Sequence, residues 1–327
     1  MKLGVVGTGM IAKEALPILR KVGVEPGLIC GTPRSAETVK DLCAEYGVLK
    51  GVTDFSDALS DKDIDTLYLA VPNFQHYPMT KAALEAGKHV ILEKPMTDDA
   101  RKAVELAELS RKSGLFLFEA VTTRHHPNYQ AVREFLPEIG TLKLAQCNFS
   151  QYSSRYDAFR RGETPVSFDP AKSGGALMDL NLYNLHYLTG LFGKPNSLRY
   201  LANVERGIDT SGIVTLDYGA FKAVSVAAKD SASPCQCVIQ GEAGYILQEG
   251  PANVCGKVML HLNDGAEKFR DAFHGHRMEP EWKAFERAID AGDRNFCDAL
   301  LKQSVIVAGL LTEARKQAGI RFPSDEA

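Results

Sequence analysis

Three side chains in this sequence have the chemistry to move charge and protons at an oxygen atom, and the spacing of two of them brings those two together. Asp179 and Tyr183 are four residues apart in Gly174-Gly175-Ala176-Leu177-Met178-Asp179-Leu180-Asn181-Leu182-Tyr183. On a helix that spacing stacks both side chains on one face. The phenol is a proton donor or acceptor and the carboxylate an anchor for hydroxyl groups, although an Asp/Tyr pair on a helix also serves purely structural ends. Lys94 is the third. It follows an apolar run in His89-Val90-Ile91-Leu92-Glu93-Lys94-Pro95, which reads as a buried strand stopped by proline, with the lysine at the carboxyl end where α/β sheets bind ligands. An ammonium beside a carbonyl or carbinol oxygen stabilises the negative charge that develops there, and its proton can move if burial lowers its pKa. The alternative is a Glu93–Lys94 surface pair.

A second cluster is suited to a dinucleotide. Gly7-Thr8-Gly9-Met10-Ile11-Ala12 follows the first apolar strand and opens the first helix, giving the G-x-G-x-x-A form of the fingerprint. Gly7 permits the tight turn, Gly9 the approach of the pyrophosphate and Ala12 close helix–strand packing, so Gly7, Thr8, Gly9, Met10 and Ile11 are expected at the cofactor. Sites that prefer NAD carry an acid about 20 residues further on, for the ribose 2′-hydroxyl. Here the second strand ends in Gly31-Thr32-Pro33-Arg34-Ser35. A guanidinium with two hydroxyls suits a 2′-phosphate, so Thr32, Arg34 and Ser35 point to NADP, with NAD the other possibility. At the same sheet edge, Ala70-Val71-Pro72-Asn73-Phe74-Gln75-His76 places Pro72, Asn73 and His76 beside Glu93 and Lys94 along the nicotinamide. Asn73 and His76 could equally cap the helix that follows.

The elements needed to hold these residues are legible. From residue 2 to about 120, apolar runs such as KLGVVG, PGLICG, TLYLAV, HVILEK and LFLFEA alternate with amphipathic stretches, which implies a doubly wound parallel sheet in a domain spanning 1–120. Beyond it the runs KLAQCNFSQYS, GIVTLDYG, FKAVSVAAK, QCVIQGEAGYILQEG and KVMLHL alternate in period two. A turn signal lies at Asn263-Asp264-Gly265. A second α+β domain over 121–327 with a large, mainly antiparallel sheet is expected, with helices at 127–137, 173–191, 279–291 and 295–318.

Composition narrows the partners. The chain has 327 residues, 45% of them hydrophobic, and a formal charge of −3. That supplies two cores and no basic field for nucleic acid or an anionic membrane, leaving a small molecule as the expected ligand. The first residues lack a signal-peptide layout, and no window reaches the ~20 apolar residues of a membrane span, so a cytoplasmic protein is expected. Seven scattered cysteines read as reduced thiols. Cys235, Cys237, His274 and His276 are read as packing and loop residues, not as a metal site. Arg124, His126 and Arg155 are candidate substrate contacts, although Arg155 could be solvated or a subunit contact, and Trp282 reads as helix core.

The ordered set GTGMIA, AVPNFQH, EAGKHVILEKP, TTRHHP, GGALMDLNLY and AGIRFP resembles the Gfo/Idh/MocA family of NAD(P)-dependent oxidoreductases. The resemblance runs from the first strand to the C-terminus. It implies a Rossmann domain, a sheet domain commonly used to form dimers, and a Lys–Asp–His/Tyr site between them. Lys94 matches the family lysine, Asp179 the aspartate, and Tyr183 the place where many members have histidine. Tyrosine there looks like the dihydrodiol dehydrogenase and glucose-fructose oxidoreductase branch, which makes the phenol the acid/base; its ordinary pKa of ~10 would have to fall. His186 lies seven residues after Asp179 and cannot substitute. The Lys-Pro bond of this motif is often cis in the family. The expected activity is hydride transfer between NADP(H) and a carbinol or carbonyl carbon of a sugar, polyol or cyclic diol, in a homodimer or dimer of dimers. Rival readings are a non-catalytic, cofactor-sensing regulator on the same fold and a reductase of a C=N or conjugated double bond.

Overall fold

Strand β1 (Leu3–Val6) is buried at every residue, as a continuous apolar run covered on both faces must be. In the computed structural model, which describes residues 1–325, it is followed by β2 (Pro26–Cys30), β3 (Lys50–Val52), β4 (Thr66–Leu69), β5 (His89–Glu93) and β6 (Leu117–Ala120). Helices α1 (Met10–Val22), α2 (Ala36–Tyr46), α3 (Phe55–Ser60), α4 (Asn73–Glu85) and α5 (Ala100–Ser113) alternate with them. All six strands are parallel, in the order β3-β2-β1-β4-β5-β6. The order reverses between β1 and β4, which opens the crevice where such sheets take ligands. Helix α1 shows why the pattern folds this way. Ala12, Ala15, Leu16 and Leu19 make one buried stripe, and Gly23, at φ 89°, ends the helix by donating its amide to the Arg20 and Leu19 carbonyls. The short β3 and α3 leave too little periodicity to be read from the sequence.

The second sheet follows α6 (Pro127–Phe135) and is interrupted by α7 (Tyr156–Arg160) and α8 (Leu182–Phe192). Its strands are β7 (Leu142–Ser150), β8 (Ser197–Glu205), β9 (Ile208–Asp217), β10 (Lys222–Ala228), β11 (Gln236–Gly241), β12 (Gly244–Glu249), β13 (Val258–Leu262) and β14 (Glu267–Arg270). The order is β14-β13-β12-β11-β7-β10-β9-β8. Only the pair β7–β10 is parallel; the remaining pairs are antiparallel. The expected mainly antiparallel sheet is therefore present.

The expected division at 120/121 is not respected by the carboxyl-terminal helices α9 (Glu279–Ala291) and α10 (Arg294–Gln317). One compact unit comprises Met1–Thr97, Arg101–Ala120 and Met278–Val305; the other holds Asp98–Ala100, Val121–Arg277 and the chain from Ile306 onward. The reason lies in aromatic packing. Trp282 meets Tyr68 of β4 edge-on at 4.9 Å, and Phe285 stacks on Phe118 of β6 at 4.7 Å. An amphipathic pattern marks a helix as buried without saying against which core. The expected continuous helix at 173–191 also differs. Ser173 and Gly175 have φ of 57° and 107°, and a π-helical turn over Leu177–Asn181 leads into α8.

Candidate active site

The glycine loop joins β1 to α1 at the switch point. Gly7 has φ 122°, and a Cβ there would lie 2.1 Å from the Ala70 carbonyl oxygen at the end of β4, so the sheet itself demands glycine. Gly9 differs. Its φ of −76° suits any residue, and a Cβ would meet no protein atom within 4 Å. Glycine at position 9 has no cause in the chain's own packing; it leaves a cradle at the amino end of α1 that a side chain would fill and a diphosphate can occupy. The residues present fit a dinucleotide. Met10 is 84% exposed beside this cradle.

Beyond β2, Pro33–Ser35 forms a single 3-10 turn. Ser35 Oγ accepts from the Thr32 amide at 2.8 Å and donates to the Thr32 carbonyl at 3.0 Å, so the two expected phosphate-binding hydroxyls also build this turn. Arg34 is exposed and has no hydrogen-bond or ion-pair partner among the described residues. The turn itself carries no carboxylate; the next acid along the chain is Glu37, in α2.

Lys94 follows β5, half-buried, and the Lys94-Pro95 bond is cis. Its turn is braced from two sides. The Met96 amide donates to buried Glu119 of β6 at 2.7 Å. His76 Nδ1 lies 2.7 Å from the Pro95 carbonyl oxygen, and Nε2 lies 2.9 Å from that of Val71. His76 is fully buried, and burial pushes its pKa below the ordinary histidine value against the opposing pull of those two carbonyls. It does not cap α4, which starts at Asn73 behind Pro72; it ties the two loops at the sheet edge together. Glu93 is also buried, and its carboxylate accepts from Tyr68 at 2.5 Å.

In the second unit, Asp179 lies in the π-helical turn and Tyr183 in the first turn of α8. The sheet holds this segment at four points. The Leu177 amide donates to Asp209 of β9 at 2.6 Å, Ser225 of β10 donates to Asn181, Asn184 donates to the Val226 carbonyl at 2.9 Å, and Lys229 Nζ donates to Asp179 at 2.6 Å. A Cβ at Gly175 would fall 2.2 Å from Asp209 Oδ1, which accounts for the second glycine of the pair. Burial raises the Asp209 carboxyl to about 6, against the Leu177 and Tyr200 donors. Tyr183 is buried, its ring 6.1 Å from that of Phe149. Neither Lys229 nor Asp209 is marked by the sequence: Asp209 lies in β9 and Lys229 just beyond β10, in stretches that carry no motif.

The three candidate substrate contacts differ in their surroundings. His126 is buried, accepts from the Asn128 amide as the cap of α6 at 3.2 Å, and meets Phe273 edge-on. Burial pushes it down to about 4. Its Nδ1 is taken up by this cap. The Arg155 side chain is exposed at the start of α7, as a solvated residue would be. Arg124 is half-buried, and that environment pushes it down to about 10. Its guanidinium makes no hydrogen bond or ion pair among the described residues. Trp282 is core. Among the described residues no group of three or more His, Cys, Asp or Glu could hold a metal ion, and no helix is long and apolar enough to cross a membrane.

The fold and the cradle define an oxidoreductase built on a nicotinamide-dinucleotide-binding Rossmann domain. A family model described as the oxidoreductase family with an NAD-binding Rossmann fold matches residues 1–121, and one described as the GFO/IDH/MocA C-terminal domain matches residues 129–247. The chain belongs to the Gfo/Idh/MocA family and is an NAD(P)-dependent oxidoreductase. It is 31% identical to scyllo-inositol 2-dehydrogenase (NADP(+)) IolU of Bacillus subtilis, over 90% of each chain. It is 26% identical to mouse trans-1,2-dihydrobenzene-1,2-diol dehydrogenase, over 100% of this chain and 99% of that one. Among solved structures, the 3-ketoreductase KijD10 of Actinomadura kijaniata with NADP and TDP-benzene superposes with a TM-score of 0.85 at 23% identity, covering 97% of each chain.

Proposed function

We propose that this oxidoreductase transfers a hydride between NADP(H) and a carbinol or carbonyl carbon of a sugar, polyol or cyclic diol. The observation that carries the reading is the presence of Lys94, Asp179 and Tyr183 together in a chain whose full-length relatives include an inositol dehydrogenase and dihydrodiol dehydrogenases. When bound, the nicotinamide supplies the hydride acceptor or donor. The remaining work belongs to side chains. Tyr183 exchanges the hydroxyl proton, Lys94 stabilises negative charge on the reacting oxygen, and Asp179 holds a substrate hydroxyl. Gly7 to Ile11 cradle the diphosphate, and unpartnered Arg34 takes the 2′-phosphate. Pro72 and Asn73 border the nicotinamide, and Arg124 offers an unpaired cation to the substrate.

The test is a panel of sugars, polyols and cyclic diols with NADP+ and NAD+, followed by the absorbance of reduced nicotinamide. Turnover is expected, faster with NADP+, and Lys94→Met should lower kcat by about 100-fold or more while cofactor binding by fluorescence titration is retained. Full turnover in that variant overturns the assignment. Absence of turnover with tight cofactor binding favours a regulator, and reduction of an imine or enone favours the C=N or C=C reading. We also propose a homodimer or dimer of dimers, and the cytoplasm as the compartment that suits seven unbridged cysteines.

A further inference from the structure

Lys229 is the most deeply placed cation beside the proposed substrate anchor. Its side chain is 3% exposed, whereas that of its partner Asp179 is 37% exposed. The ammonium donates to Asp179 Oδ2 at 2.6 Å and to the Ser167 carbonyl at 3.2 Å, and it lies 4.7 Å from the centre of the Phe168 ring. Its backbone is pinned on both sides just beyond β10. The Lys229 amide donates to the Thr210 carbonyl at 2.8 Å, and its own carbonyl accepts from Ser153 at 2.9 Å. Backbone bonds, the Ser167 carbonyl and the Phe168 ring together fix where the ammonium sits.

Burying an ammonium costs several kcal/mol unless it is paired and hydrogen-bonded. Phe168 is fully buried, and an apolar residue of similar volume would pack against its ring without that cost. The cation is therefore explained by what it does for the more exposed partner, with support running from the core outward. A π-helical turn carries Asp179, and such a turn widens the helix locally, leaving side-chain direction less constrained by the backbone. The ion pair restores that constraint.

We propose that Lys229 is a positioning residue of the reaction, acting through Asp179 to fix the carboxylate that holds the substrate hydroxyl. The inference rests on the reading of Asp179 as substrate anchor. It differs from that reading in assigning the anchor's direction to a lysine outside the Lys–Asp–Tyr set.

A double-mutant cycle tests it. With a substrate found on the panel, Lys229→Met and Asp179→Asn should each lower kcat/KM on the order of 100-fold, mostly through KM. The double variant should be no worse than Asp179→Asn alone, since both changes remove one interaction. Lys229→Arg should recover part of the loss. NADPH affinity should stay at the wild-type value, the thermal midpoint should fall in Asp179→Asn, which leaves the buried ammonium without its carboxylate, and the ¹³C carboxyl resonance of Asp179, assigned by its absence in Asp179→Asn, should move in Lys229→Met without substrate. Losses that multiply in the double variant overturn the proposal, as does an unmoved carboxyl resonance. If Lys229→Met does not fold, Lys229→Gln takes its place in the same cycle. Wild-type kinetics in Asp179→Asn defeat the anchor reading itself and this inference with it; an impaired Asp179→Asn beside a normal Lys229→Met defeats only this inference.

Discussion

Two glycines of one motif are required for different reasons, and substitution separates them. At Gly7 both φ and the Ala70 carbonyl oppose a side chain, so Gly7→Ala should lower the thermal midpoint whether or not cofactor is present. At Gly9 neither the backbone nor the neighbours object. Gly9→Ala should keep the apo-protein's midpoint and lose about tenfold or more in NADPH affinity. Unchanged affinity in Gly9→Ala would contradict the cradle. The motif was plain in the sequence, but which glycine serves the fold and which the ligand depends on Ala70, which arrives from another strand. His76 and His126 make the same point. Their types suggest chemistry, and only three-dimensional neighbours show that one braces two loops and the other caps a helix.

At the scale of elements, the helix presenting Asp179 and Tyr183 depends on a buried carboxylate. Asp209 accepts from the Leu177 amide and from Tyr200 at 2.8 Å, and burial raises its pKa to about 6. An unfolded Asp titrates near ~3.9, so between about pH 4 and pH 6 the native state keeps a proton that the unfolded chain has released. The stability contributed by this group is therefore present below about pH 4 and declines as pH rises through 6. Denaturant titrations across pH 4–7 should show that slope in wild type, on the order of 2 kcal/mol, and a flatter profile in Asp209→Asn. Identical slopes would refute the assignment. Periodicity announced a helix over 173–191; the π-helical turn inside it could not be read, because it follows from contacts with β9 and β10.

At the scale of the whole molecule, the second sheet has one face under helices and one face open. Leu144, Leu201, Ile213, Tyr245 and Phe269 are exposed on that open face, where the register pairs Leu201 with Ile213 and Met259 with Phe269. Exposed apolar side chains gathered on one sheet face suit an interface, and the proposed dimer would cover them with a second copy, sheet on sheet. Light scattering should give two or four times the chain mass. Leu201→Glu combined with Ile213→Glu should release monomers with unchanged far-ultraviolet circular dichroism. A monomeric wild type at micromolar concentration would rule the dimer out.

Local sequence determined much of this protein. Apolar runs alternating with amphipathic stretches dictate a doubly wound sheet, period-two runs dictate a second, mainly antiparallel one, and the order of glycine loop, EKP and Asp/Tyr helix points to the family, because each of these signals lies within a short stretch of chain. Tertiary structure alone decided which core receives α9, that β7 and β10 run parallel, and that His76 and Glu93 serve the fold. It also decided that Lys229 and Asp209 support the site helix. Those outcomes depend on partners 19 or more residues away in sequence, where spacing along the chain carries no information about distance in space.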